Sequence, residues 1–104
     1  MAGLGKFLKQ AQKMQEQMQR VQDELAAREV EGSAGGGAVK AVAKCDGSLV
    51  AIKIDPKAVD AKDIEMLEDL VLGAVTNALE IAKKTQSDEM AKVTAGFNLP
   101  GVTQ

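Results

Sequence analysis

The 104-residue chain contains no histidine, tryptophan or tyrosine, and Phe7 and Phe97 are its only aromatic residues. Without imidazole there is neither the usual general base of neutral-pH catalysis nor a His-ligated metal site. Cysteine appears once, as Cys45. A single thiol excludes an intrachain disulfide and a multi-thiolate cluster, and it fits a reducing, cytoplasmic setting. Apolar runs are short, and none approaches the roughly 18 residues a membrane span needs. Lys6, Lys9 and Lys13 interrupt the N-terminal stretch where a secretory signal would be apolar. The Asp and Glu residues sit at helix-surface positions with no accompanying nucleophile, so no catalytic residue, metal ligand, cofactor or small-molecule substrate is indicated.

What remains is 45% hydrophobic and 27% charged, the composition of one ordinary globular domain, residues 1–104, with a modest core. The net charge of −2 argues against a polyanionic partner, but the charges are segregated. Residues 1–22 hold Lys6, Lys9, Lys13 and Arg20 against Glu16 alone. Residues 58–82 hold six carboxylates against Lys62, and the segment after them is slightly basic through Lys83, Lys84 and Lys92. With a Debye length of about 8 Å at physiological salt, such regions act separately.

Residues 1–28 lack proline and are dense in Gln, Lys, Met, Leu and Ala, which predicts a helix. Leu4, Phe7, Ala11, Met14, Met18, Val21 and Leu25 recur at steps of three and four, a heptad seam that needs a partner helix from this chain or another. In that frame Lys6, Lys9, Lys13 and Arg20 form a stripe opposite the seam. Such a stripe suits a phosphate backbone, and it equally suits a solvated face.

Residues 29–37 end in glycines but lack the phosphate-loop pattern, so they read as a turn. Residues 38–45 and 48–54 are two strand-like runs around Asp46-Gly47, the signal of a two-residue type I′ hairpin. That loop would pair Ala43 with Val50, Ala41 with Ile52 and Val39 with Ile54 on a core face, and Lys40 with Lys53 on the other. Residues 29–31 could add a third strand, with Glu31 opposite Ala38 and Glu29 beside Lys40, giving a sheet over 29–55. Pro56 closes it. Asp60 or Asp63 then caps a helix over 60–95, with an apolar seam through Ile64, Leu67, Val71, Ala74, Ala78 and Ile81. Gly96 is a natural stop, leaving 96–104 as a tail. A rod of some thirty residues, about 45 Å long, outruns so small a domain and must project or meet a second subunit.

The chain resembles the YbaB/EbfC-type bacterial nucleoid-associated proteins. The matching stretches are Lys9-Gln-Ala-Gln-Lys-Met-Gln-Glu16, Ile54-Asp-Pro56, Glu65-Met-Leu-Glu-Asp-Leu70 and Met90-Ala-Lys-Val-Thr-Ala-Gly96, with Leu99-Pro100 near the end. They run in order along nearly the whole chain; the departures are an alanine-rich hairpin and a short tail. The resemblance implies an α+β protomer of order α–β–β–β–α, with a small antiparallel sheet, long terminal helices and an intertwined homodimer with projecting arms. It implies a cytoplasmic, nucleoid-located protein that binds double-stranded DNA, alters its conformation and influences gene expression. Carried onto this sequence, the DNA contacts would be Lys6, Lys9, Lys13 and Arg20, with Lys83, Lys84 and Lys92. The dimer surface expected from the seams comprises Leu4, Phe7, Met14, Met18, Val21, Ile64, Leu67 and Val71. A coiled-coil adaptor or chaperone-like module, using Met14 and Met18 as an adaptable surface, is the competing reading. Base intercalation is not expected, because Phe7 lies in the seam.

Overall fold

The computed structural model describes residues 2–97. Helix α1 (Ala2–Ala27) leads into strands β1 (Glu29–Ala34), β2 (Val39–Lys44) and β3 (Leu49–Ile54), and helix α2 (Ile64–Phe97) follows. The sheet is antiparallel in the order β1-β2-β3, with β2 in the middle. This is the α+β, α–β–β–β–α architecture the resemblance implied. The element bounds move slightly: α2 starts at Ile64 rather than 60, and Gly96 and Phe97 lie inside it rather than in a tail. The rest of the expected tail, including Leu99-Pro100, falls outside the described residues.

Three details of the sheet differ from the sequence reading. The hairpin loop is longer than Asp-Gly alone: the Gly47 amide donates to the Lys44 carbonyl at 2.9 Å, and the Lys44 amide donates to the Ser48 carbonyl at 2.8 Å. Only Gly47 of the turn has positive φ, at 96°, whereas a type I′ turn needs two such residues. The pairing therefore slips at Val42/Ala43, and Ala43 faces Leu49 instead of Val50, while Ala41 with Ile52, Val39 with Ile54 and Lys40 with Lys53 stand as expected. On the other side, Glu31 faces Val42 and Glu29 faces Lys44, because β1 runs on to Ala34 opposite Val39. Glu31 thus supplies the carboxylate near Lys40, 4.0 Å away, in place of Glu29. Between β1 and β2, Gly35, Gly36 and Gly37 all take positive φ (62°, 67° and 96°), a path other residues follow only with strain.

The third difference concerns burial. Val39, Ala41 and Ala43 of β2 are fully buried against Ala74 and Ala78 of α2, but Val50, Ile52 and Ile54 of β3 stay 40–46% exposed. Helix α2 lies over β1 and β2 and barely reaches β3. The inward line of α2 is alanine at every fourth residue, Ala74, Ala78 and Ala82, while Ile81 is exposed. Such small residues let the helix come down onto the strand backbone: a Cβ at Gly32 would overlap the Ala78 amide nitrogen and sit 2.6 Å from its Cα and 2.8 Å from the Ala74 carbonyl oxygen. Asn77 of the same helix accepts from the Ser33 amide at 3.0 Å, satisfying a backbone donor of strand β1.

At the other end, the Asp63 carboxylate caps α2 by accepting from the Met66 amide at 3.1 Å. Its 34 residues span about 51 Å. The whole molecule measures 74 × 25 × 16 Å with a radius of gyration of 19.9 Å, against about 13 Å for a compact chain of this length. The helices project. Substituting Gly32 by alanine should destabilise the protomer by about 2–3 kcal/mol, since the obstacle is the backbone of α2, which cannot swing aside as a side chain could. Gly36→Ala, where open space surrounds the position, should cost only about 1 kcal/mol from its positive φ. Paired chemical denaturation curves check both values.

Candidate nucleic-acid interface

Beyond the sheet, α1 and α2 run antiparallel and contact each other, forming a two-helix arm. On α1 the seam positions Met14, Met18 and Val21 are half-buried and Leu25 is buried; on α2 Met90 is half-buried and Val93 buried. The regular seam therefore finds a partner within the chain over its sheet-proximal half. Towards the tip it does not: Leu4 and Phe7 are 59% and 54% exposed, and Leu8 beside them is as open. Among the described residues Phe7 is thus only partly covered.

Lys6, Lys9, Lys13 and Arg20 are all exposed, but Lys6, Lys9 and Lys13 border the end of α2 rather than lying wholly opposite the seam. Among the described residues, none of these four cations forms an ion pair. Lys6, Lys13 and Arg20 recur every seven residues, so the stripe extends about 21 Å along the helix. That matches roughly six base-pair steps of B-DNA at 3.4 Å each. The end of α2 reaches this surface, since Gly96 lines a groove of about 400 Å³ together with Lys6, Lys9, Gln10 and Lys13.

The cations of α2 are placed differently. Lys84 pairs with Asp88 at 3.0 Å and Lys92 with Glu89 at 2.7 Å. Lys83 carries no ion pair among the described residues and lies by the hairpin, sharing a pocket with Cys45, Asp46 and Gly47. These three are not gathered with the α1 stripe into one patch by any contact the structure shows. One cation was invisible to sequence spacing: Arg28, at the root of the arm, reaches Glu89, 61 residues away, at 3.4 Å. Nothing local signals that meeting. The carboxylates of residues 55–63 serve local turns and the α2 cap, with Asp55, Asp60 and Asp63 each accepting from a backbone amide. They lie at the α2 end remote from the stripe, well beyond a Debye length.

A separate apolar surface remains open. Leu67, Val71, Leu72 and Val75 line a groove of about 400 Å³ on α2, with Glu68 at its edge, and Ile64 beside it is 49% exposed. Leu49, Val50, Ile52 and Ile54 of β3 are likewise 40–46% exposed. Of the expected dimer residues, Ile64, Leu67 and Val71 are on this surface, Leu4 and Phe7 are at the arm tip, and Met14, Met18 and Val21 are partly used inside the arm.

Against known proteins, the sequence profile of the YbaB/EbfC DNA-binding family matches residues 1–97. A nucleoid-associated protein of Caldanaerobacter subterraneus subsp. tengcongensis is 52% identical over 99 residues, covering 95% of this chain and 89% of the relative. One of Moorella thermoacetica is 52% identical over 101 residues, covering 97% of both chains, and one of Nocardia farcinica is 46% identical over 92% of this chain and 87% of its own. The fold is also similar to the crystal structure of an uncharacterized Helicobacter pylori protein, with TM-score 0.68, 17% identity, and coverage of 88% of this chain and 94% of that one.

The Lys92 ammonium, through its hydrogen bond and charge, holds the Glu89 carboxyl below the usual carboxylate range, and Arg28 adds to the effect. A lowered folded-state value stabilises the fold above the unfolded-state value and loses that contribution as pH falls through the folded one. Lys92→Met should therefore move the Glu89 titration upward. The variant should be slightly less stable than the parent at neutral pH, with the gap closing in acid. Carboxyl NMR titration and melting at two pH values check both parts.

Proposed function

We propose, on the premise that this chain belongs to the YbaB/EbfC DNA-binding family, that it is a bacterial nucleoid-associated protein that grips double-stranded DNA as a homodimer through its helical arms. The observation that carries the reading is the α1 stripe: Lys6, Lys9, Lys13 and Arg20 stand exposed on one face of a projecting helix with no carboxylate paired to them among the described residues. Phosphates are the natural counter-charge for such a row, and a helix of this length follows the backbone without reading bases. Lys83, Lys84 and Lys92 add a second, partly neutralised set.

A second copy is the occupant proposed for the apolar surface of β3 and the α2 groove. Exposed Leu49, Val50, Ile52 and Ile54 on an edge strand, together with the open apolar groove of α2, are a liability in a monomer. Covering them with a twin subunit doubles the cationic stripe and sets two arms about one duplex. Held so, DNA would change its path, which is how the protein would act on nucleoid organisation and gene expression. The place of work is then the cytoplasmic nucleoid, and the role is binding rather than catalysis. The adaptor reading has less support, because Met14 and Met18, which would supply its adaptable surface, are already half-buried within the protomer.

If about six phosphates are neutralised by a dimer, the logarithm of the DNA association constant should fall against the logarithm of salt with a slope near −5. The variant Lys6→Glu/Lys9→Glu/Lys13→Glu, still folded and dimeric, should lose nearly all binding; unchanged binding would remove the stripe from the interface. Ile52→Glu together with Leu72→Glu should convert the dimer to a monomer in sedimentation equilibrium while leaving the helical circular dichroism in place. Persistence of the dimer would send the interface elsewhere.

A further inference from the structure

At the root of the arm, two cations from distant parts of the chain converge on one carboxylate. Glu89 Oε1 lies 3.4 Å from Arg28 Nη1, and its Oε2 lies 2.7 Å from Lys92 Nζ. With Thr85 and Asp88 these residues line a cleft of about 160 Å³. The cations are the outer members: the Arg28 and Lys92 side chains are 55% and 76% exposed, and Glu89 only 27%. Arg28 is anchored there, because its carbonyl accepts from the Cys45 amide at 2.9 Å and its amide closes the last turn of α1 on Glu24. A guanidinium, an ammonium and a nearby threonine hydroxyl are donors suited to a phosphate oxygen, and the second carboxylate of the cleft, Asp88, is itself met by Lys84 at 3.0 Å.

We propose that this cleft is a contact site for a phosphodiester of the DNA backbone, and that Glu89 occupies it in the free protein as a resident competitor that limits how tightly the arm root holds DNA. The proposal rests on the DNA-binding reading above and deepens it, adding Arg28 to the contact surface and a built-in restraint on affinity.

Glu89 could in principle act the other way, by holding the cations in position for DNA. The magnitudes decide against that. Ion pairs this exposed orient long side chains only weakly. A cation whose charge is already met by a carboxylate contributes no counterion release on meeting a phosphate, which forfeits about eightfold in affinity per contact near 0.1 M salt. Competition therefore outweighs positioning. Lys92 first, and Arg28 after it, hold the Glu89 carboxyl below the usual carboxylate range, against the opposing effects of desolvation and the neighbouring Asp88.

The test measures binding of the full chain to a mixed-sequence DNA duplex by fluorescence anisotropy across a salt series, with a thermal melt of each variant. Glu89→Gln should tighten binding roughly 3–10-fold near 0.1 M salt and steepen the salt slope by about one. Glu89→Ala should do the same, so the outcome does not hang on one variant's folding. Glu80→Gln makes the same change of charge on the same helix outside the cleft, and should leave affinity within about twofold of the parent. Adding Arg28→Gln to Glu89→Gln should return binding to the parent level or below. Binding by the Glu89 variants no tighter than the parent, an equal gain from Glu80→Gln, or a gain that survives the loss of Arg28 would each overturn the proposal. A parent that binds no duplex even at low salt would instead remove the functional reading beneath it, a distinct result.

Discussion

Everything in this molecule depends on how closely α2 lies on the sheet. Gly32 offers no side chain, Ala74 and Ala78 offer a methyl each, and the helix backbone settles directly over β1. Dispersion rewards such contact because many atom pairs meet at short range, even though each alanine contributes little apolar area. The arrangement has a geometric consequence. A helix seated over β1 and β2 cannot also roof β3, so the outer strand keeps its valine and isoleucines open.

The same seating aims the long helix. Having crossed the sheet by Ala82, α2 passes the hairpin at Lys83 and Gln86 and runs on beside α1, and the pair becomes an arm rather than part of a globule. The contacts that hold the arm root are modest: a half-buried methionine and valine seam, and the Arg28–Glu89–Lys92 network at its edge. Close packing and exposed positive charge are thereby separated along the long axis. Small buried residues sit at one end, lysines with no ion pair among the described residues at the other, and a band of carboxylates at the α2 start is engaged in local turns and capping.

Much of this was legible in the residues, and the places where the reading failed are instructive. The heptad of α1, a cap at Asp60 or Asp63, a third strand starting at residue 29 and the Lys40–Lys53 opposition follow from local spacing; the structure takes Asp63 as the cap and carries the strand on to Ala34 in a different register. The hairpin slipped by a residue because Gly47 alone, rather than Asp46 and Gly47 together, takes positive φ, and a pattern of residue types cannot distinguish those turns. The alternation of β3 predicted one buried face; what it reports is an apolar face, and whether that face is covered is a matter of which neighbour the helix chooses. Phe7 likewise obeys the seam period yet lies at the arm tip, 54% exposed.

By itself, then, the sequence determined the periodic elements, the sign of each surface and the family resemblance, because those depend on residues a few positions apart. The tertiary structure alone decided which cations are free and which are met by carboxylates, which apolar faces stay uncovered, and that Arg28 and Glu89 meet across 61 residues. The physical reason is that charge neutralisation and burial are pairwise, short-range effects between segments, and only the seating of α2 on the sheet brings those segments within range.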